Sequence, residues 1–340
     1  MTEQRFHIAE WYGWPFHELS NEKRKQLAEH TVGGSSMKKK EIDRLVQLEA
    51  EDRIRNLNKR EVNRLSALRN KLEEQKKGEM PCPFKTSMHQ TCSKPGGVCS
   101  IRIFEENNGS ITPIAGDKGR IRSLCPWRFH QDNIVFDRVG ERLLGDANPT
   151  KAGEIGFLES TGNLDVKPGE DVGRIDMILV KSNSPNANEM QWAAVEIQAV
   201  YFSGKKMQLE FDQIVSANGA LTMPVIKRRP DYRSSGVKRL LPQLQTKVPT
   251  LSRWGKKTAV VVDWSFFHSM GAMAEEEDIS NADIVWFLSD FSKDPSSGRY
   301  TIEIIDEKYT TLENATKGLT GGNPLSQSAF EKRIADKIQS

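Results

Sequence analysis

Two short apolar runs limit what this chain can be. Residues 173–180 (GRIDMILV) and 191–200 (QWAAVEIQAV) have the length and β-branched content of buried strands. The stretch between them, Asn183-Ser184-Pro185-Asn186-Ala187-Asn188, has the composition of a turn, so the pair predicts a β-hairpin. Strands this apolar should carry no charge, yet Asp176 lies in the first, and Glu196 and Gln198 lie two apart in the second. Residues two apart on a strand face the same way. Two carboxylates gathered on a buried surface are costly without a counter-charge, and a bound cation is one remedy.

The rest of the chain places this hairpin in a mixed α+β protein. Residues 5–18 are aromatic-rich and predict a short helix closed by Gly13 and Pro15, with core anchoring as its plain role. After the break at Gly33-Gly34-Ser35-Ser36, apolar residues recur at helical spacing from Ile42 to Leu72, which predicts one long amphipathic helix or a helical hairpin. The cluster Lys38-Lys39-Lys40 reads as a solvated helix end or a phosphate contact. Further helices are expected over 131–150, over 236–253 with an interruption at Pro242 or Pro249, and over 326–338. Residues 156–158 suggest an edge strand, and 258–264, 283–288 and 300–305 read as buried strands.

All four cysteines, Cys82, Cys92, Cys99 and Cys125, fall within residues 82–125, separated by nine, six and twenty-five residues. Four thiolates satisfy tetrahedral zinc or iron, although these spacings are wider than the usual paired CxxC. His89 and His130 are alternative ligands or bystanders. The basic segment that follows the hairpin, with Arg228, Arg229, Arg233, Lys238 and Arg239, suits phosphate or guanine contacts as well as it suits a solvated loop.

Composition excludes some classes. A formal charge of +3 on 340 residues does not by itself indicate a nucleic-acid partner, so any basic surface must be local. No apolar run approaches the roughly 20 residues of a membrane helix. The N-terminal residues lack the layout of a signal peptide, and the chain reads as intracellular, where thiols stay free or bind metal.

A hairpin presenting Asp176 with Glu196 matches the way PD-(D/E)xK nucleases hold Mg²⁺ to activate water and stabilise charge on phosphate. In that class the backbone carbonyl between the last two motif positions, here Ile197, often completes the coordination. Lysine usually fills the third position, where this chain has Gln198. Together with Cys82-Pro83-Phe84-Lys85-Thr86, Gly97-Val98-Cys99 and Cys125-Pro126, the Glu196-Ile197-Gln198 motif resembles the NotI-type restriction endonucleases. Ile8-Ala9-Glu10-Trp11-Tyr12-Gly13 also looks like the N-terminal helix of that family. The resemblance covers 5–18 and 80–300 in motif order and leaves 19–80 as an insertion.

The resemblance implies a PD-(D/E)xK core, a mixed sheet flanked by helices, with a helical N-terminal extension and a small four-cysteine metal-binding subdomain. Its divisions are 1–80, 81–130 and 131–340. It implies a type II restriction endonuclease of the prokaryotic cytoplasm that acts as a homodimer on double-stranded DNA. Such an enzyme makes Mg²⁺-dependent cuts at a GC-rich palindrome and belongs to a system with a cognate DNA methyltransferase that it does not touch. Asp176, Glu196 and Gln198 become the catalytic positions, with Mg²⁺ held by Asp176, Glu196 and the Ile197 carbonyl. Cys82, Cys92, Cys99 and Cys125 become ligands of structural iron, or alternatively zinc. Arg228, Arg229, Arg233 and Arg239 become candidates for reading guanine. Glu154, Glu159 or Asp165 is a possible further metal ligand, with Glu159 preferred, and Lys205 or Lys206 could supply the charge that Gln198 lacks. Two other readings stand beside this one: a repair nuclease of the same catalytic class with an iron–sulfur cluster, and a non-catalytic DNA-binding protein organised by its cysteine site.

Overall fold

The computed structural model describes residues 3–33, 39–77, 80–85, 91–94, 96–162, 165–182, 190–204, 207–321 and 325–339. Lys38, His89, the loop from Asn183 to Asn188, Lys205 and Lys206 lie outside the described residues. The chain divides into two compact units, one of residues 1–132, 202–229 and 291–302, the other of 133–201, 230–290 and 303–340.

The first unit holds β1 (Gln4–Trp11), β2 (Trp14–Pro15), α1 (Asn21–Gly33), α2 (Lys39–Asp52), α3 (Lys59–Lys77), β3 (Val98–Asn107), β4 (Ser110–Pro113) and β5 (Arg122–Ser123). The expected N-terminal helix is a strand. β1 pairs antiparallel with β3, Phe6 opposite Ile103 and Ile8 opposite Ile101. From His7 onward every β1 residue is buried, so both faces are covered and no amphipathic period distinguishes helix from strand. β1 ends where Tyr12 and Gly13 take positive φ. A Cβ on Gly13 would lie 2.7 Å from the Pro83 ring, so this turn needs glycine for space as well as for conformation.

Of the two forms expected for residues 37–77, the hairpin is the one formed. Leu45 and Leu48 of α2 pack on Leu65 and Leu68 of α3, with Leu57 and Leu72 at the margins. Asn58 starts α3 with a reciprocal cap. Its side chain accepts from the Glu61 N–H, and its own N–H donates to the Glu61 carboxylate at 2.9 Å.

The second unit begins with α4 (Ile134–Leu144), β6 (Thr150–Ala152), β7 (Ile155–Glu159), β8 (Asp171–Ile175), β9 (Met177–Val180) and β10 (Trp192–Ile197). Next along the chain come β11 (Tyr201–Phe202), α5 (Gln208–Ser216), which belongs to the first unit, and β12 (Pro230–Asp231). The remaining elements are α6 (Tyr232–Ser235), α7 (Leu241–Arg253), β13 (Thr258–Asp263), α8 (Trp264–His268), β14 (Ile284–Lys293), β15 (Tyr300–Thr310), α9 (Leu312–Thr320) and α10 (Gln327–Gln339).

The central sheet is mixed, in the order β15-β14-β13-β10-β9-β6. β10 runs parallel to β13 and antiparallel to β9, and β13 runs parallel to β14. β13 is buried at every residue, as a strand covered on both faces must be. The first expected hairpin strand is divided. β8 pairs with β7 in a separate ribbon, β9 joins the sheet, and Asp176 sits at the bend between them.

α7 runs unbroken through Pro249; of the two interruptions expected, the one at Pro242 is where a π-helical stretch, Gly236–Leu240, gives way to α7. Pro242 sits in its first turn, where a missing N–H costs nothing, and Pro249 is on the exposed face. Its buried side is Leu241, Leu244, Lys247, Val248 and Leu251. Leu251 packs with Ala194, Ile178 and Ile175, which fixes α7 on the face of the sheet that Ala194 shares with Glu196.

Candidate active site

That packing determines which side chain meets Glu196. Two residues along β10, from Ala194 to Glu196, advance about 6.6 Å, and one turn back along α7, from Leu251 to Lys247, covers a similar distance. Lys247 Nζ accordingly lies 2.7 Å from Glu196 Oε1, and it donates as well to Gln243 Oε1 at 3.0 Å. Both partners are almost fully buried, Glu196 at 1% and Lys247 at 4% exposure.

The strand register brings Asp176 to the same place. Val195 is opposite Met177 in the β9–β10 ladder, so the next residues outward are Glu196 and Asp176. The Ile197 N–H donates to Asp176 Oδ2 at 2.9 Å and fixes that carboxylate beside the end of β10. Gln198 lies one step on, 8% exposed, its N–H donating to the Val261 carbonyl at 3.0 Å. Its side-chain amide donates to the Ala199 carbonyl.

The electrostatics follow from burial and neighbours. Desolvation, then the charge of Asp176, pushes the Glu196 carboxyl up to about 7, against a pull downward from Lys247. Asp176 is raised too, chiefly by burial, with the Ile197 N–H and Lys247 opposing and the charge of Glu154 adding to the rise. Two carboxylates against one ammonium leave one negative charge unbalanced, and Glu196 Oε2 is buried with no hydrogen-bond partner. An orphaned carboxylate oxygen beside a second carboxylate is a donor set that suits a hard divalent cation. Asp176 and Glu196 would hold it. Among the described residues no group of three or more His, Cys, Asp or Glu is placed to hold a metal ion.

Of the upstream acids, Glu154 is exposed and forms a 3.4 Å pair with Arg174 while its charge reaches Asp176. Glu159, the acid preferred from sequence, ends β7 opposite Asp171.

Lys247 does not stand out in the sequence because its partner is 51 residues away. A signal is present, however. In the apolar series Leu244, Val248, Leu251, position 247 belongs to the same helical face, and a lysine on a buried stripe calls for a buried acid.

The cysteines all lie in the first unit. Cys82, Cys99 and Cys125 are buried and Cys92 is half-buried, all as free thiols. Cys82 and Cys99 pack with Phe84, and Cys92 and Trp127 close around them. Burial raises the Cys92, Cys99 and Cys125 thiols, and the charges of neighbouring cysteines raise each of them further. His130 packs on the Trp127 ring with centroids 4.6 Å apart.

The basic segment is split between the units, with Arg228 and Arg229 in the first and Arg233 and Arg239 in the second. Arg229, Arg233 and Arg239 are exposed. Arg239 lies 3.6 Å above the Tyr201 ring and donates to its hydroxyl. Arg228 departs from the expectation of a groove-reaching side chain. It is 4% exposed, paired with buried Glu210, and stacked over Phe202. A guanidinium enclosed this way braces the fold around α5 and has no free edge for a base.

The family model described as restriction endonuclease NotI matches residues 66–302, a span that includes every cysteine, Asp176, Glu196, Gln198 and Lys247. The match begins inside α3 and leaves β1 outside it. No curated protein matches the chain.

Proposed function

The chain belongs to the NotI restriction endonuclease family, and from that premise we propose that Asp176, Glu196 and Gln198 form the active centre of a Mg²⁺-dependent enzyme that cuts both strands of a GC-rich palindrome. Membership makes it a deoxyribonuclease that hydrolyses phosphodiester bonds, with a restriction-endonuclease-like core built on the six-stranded sheet. The observation carrying the assignment of the centre is the meeting of Asp176 with Glu196, whose Oε2 is buried and unpartnered. Mg²⁺ bound there would activate the attacking water and neutralise charge developing on the phosphate. Asp176 and Glu196 would hold the ion, assisted by the Ile197 carbonyl, and the Ile197 N–H fixes the Asp176 carboxylate beside the end of β10. Gln198, whose amide nitrogen donates to the Ala199 carbonyl, would have its amide oxygen to orient the water without adding charge.

A homodimer supplies one such centre per strand, in keeping with the two-fold symmetry of a palindrome. Arg229, Arg233 and Arg239 are the candidates for reading guanine edges, being exposed where Arg228 is enclosed. Cys82, Cys92, Cys99 and Cys125 hold structural iron, or zinc. The packing of Cys82, Cys92 and Cys99 about Phe84 supports this, since thiols give up protons to a metal far more readily than to water at neutral pH. A methyltransferase protecting the same site completes the system without contacting this chain.

Purified protein is expected to cut plasmids of known sequence into discrete bands with Mg²⁺ and to leave them intact with EDTA. A smear would favour a repair nuclease, and DNA binding without cleavage would favour a non-catalytic reader. Elemental analysis of the same preparation is expected to find about one iron or zinc per chain, and Cys99→Ser protein is expected to lose it. An equal metal content in wild type and Cys99→Ser would remove the four-thiolate assignment.

A further inference from the structure

The third motif position of the active centre has an amide where the catalytic class has an ammonium, and the structure offers an ammonium from elsewhere. We propose that Lys247 of α7 supplies, from the helix, the positive charge that Gln198 does not, and acts as a positioning residue through Glu196. This inference rests on the reading of Asp176 and Glu196 as the catalytic carboxylates.

Three observations converge on it. The Lys247 ammonium reaches Glu196 Oε1 at 2.7 Å and leaves Oε2 without a partner, so one oxygen is anchored by charge and the other is left for a cation or a water. The contact is set by packing. Leu251, one turn away, is fixed against Ala194, and Gln243, one turn the other way, accepts from the same ammonium at 3.0 Å, so the ammonium is held between two acceptors. Gln198 turns its own amide to the Ala199 carbonyl, and it presents no charge to Glu196. The arrangement keeps one positive charge in direct contact with the Glu196 carboxylate. A lysine two residues along the strand would do the same from Gln198, so the role is retained although the chain position that provides it has moved from β10 to α7.

A buried ion pair can also be purely structural, and the test separates the two. Single-turnover cleavage of a plasmid substrate would be measured across pH for wild type, Lys247→Met, Lys247→Arg and the double variant Gln198→Lys/Lys247→Met, with DNA affinity measured in Ca²⁺. Lys247→Met is expected to cut about 100-fold more slowly, with its pH inflection displaced upward and DNA affinity unchanged. Lys247→Arg is expected to keep the wild-type inflection. Returning the charge to the strand in the double variant is expected to recover at least about tenfold of the loss. Wild-type rate and inflection in Lys247→Met would overturn the proposal, as would a loss that neither Lys247→Arg nor the relocated lysine restores. Should Lys247→Met fail to fold, the Lys247→Arg profile and the rate of a Gln198→Lys/Lys247→Gln protein decide between the same two outcomes. Glu196→Gln serves as the control for the underlying reading. If it cuts normally, the assignment of the active centre fails, whereas an inactive Glu196→Gln beside a normal Lys247→Met sinks only the role of Lys247.

Discussion

Glu196→Gln and Asp176→Asn proteins are expected to bind DNA but to cleave it at least about 1,000-fold more slowly than wild type, because each removes half of the charge that would hold the proposed cation. Loss of metal assistance is worth several kcal/mol of transition-state stabilisation, and about 4 kcal/mol corresponds to a factor of about 1,000. Both substitutions keep side-chain volume and a hydrogen-bonding oxygen, although Glu196→Gln takes the counter-charge from buried Lys247 and should lower stability, so the folded fraction of each variant is checked by its urea midpoint. The wild-type pH profile carries the same information. Glu196 holds its proton up to about pH 7, where an ordinary glutamate has lost it near 4.5. Between these values the folded chain binds more protons than the unfolded one, so this group weakens the metal-free fold as pH rises through the window. The same proton competes with a cation for the carboxylate. At subsaturating Mg²⁺, cleavage should fall below pH 7 by about tenfold per unit, and raising Mg²⁺ should move the inflection to lower pH. An inflection that stays put over a hundredfold range of Mg²⁺ would show that Glu196 is not a ligand.

How much of this centre could be read from the sequence depended on how far apart the interacting residues lie. Asp176 and Glu196 stood out because charges inside apolar runs violate a local pattern, and the hairpin that unites them is local. Lys247 violates the same kind of pattern on α7, but recognising its partner requires knowing that Leu251 packs on Ala194, a tertiary fact. Buried β13 and the leucine hairpin of α2 and α3 were legible because one shows a continuous apolar run and the other a clean helical period. β1 misled for the opposite reason. Ile8, Glu10 and Trp11 are all fully buried, so neither a period of two nor one of 3.6 survives in its sequence. α5 was hidden because Leu209, 48% exposed, blurs the face that Phe211 and Ile214 bury. The basic segment showed its charge but not its burial. Nothing local separates Arg228, sealed against Glu210, from its exposed neighbour Arg229.

Arg128→Ala is expected to lower stability by about 3–5 kcal/mol, the cost of leaving a buried carboxylate without its counter-charge. Glu10 and Arg128 are both fully buried, with Arg128 Nε 2.9 Å from Glu10 Oε2 and 3.0 Å from Oε1. The remaining groups are engaged too. Arg128 donates to the Tyr300 carbonyl at 2.9 Å and to Gln131 Oε1 at 2.6 Å, Ser100 donates to Glu10, and the guanidinium lies between the Phe84 and Phe291 rings. Full satisfaction is what makes such a pair tolerable in an apolar interior, and it is also why removing one member is so costly. A surface pair such as Arg120 with Asp117 would contribute about 1 kcal/mol at most. The buried pair also ties together the segments that carry the cysteines. Ser100 follows Cys99, Phe84 follows Cys82 by two residues, and the Arg128 N–H donates to the Cys125 carbonyl at 3.0 Å. Urea unfolding of Arg128→Ala should therefore show a lower midpoint, and if the cysteines bind iron or zinc as proposed, its loss should precede the main transition. In a Glu10→Leu/Arg128→Met protein, apolar groups replace both charges, and most of the lost stability should return. If the double variant is no more stable than Arg128→Ala, the cost lies in lost packing between Phe84 and Phe291 and not in the abandoned charge of Glu10.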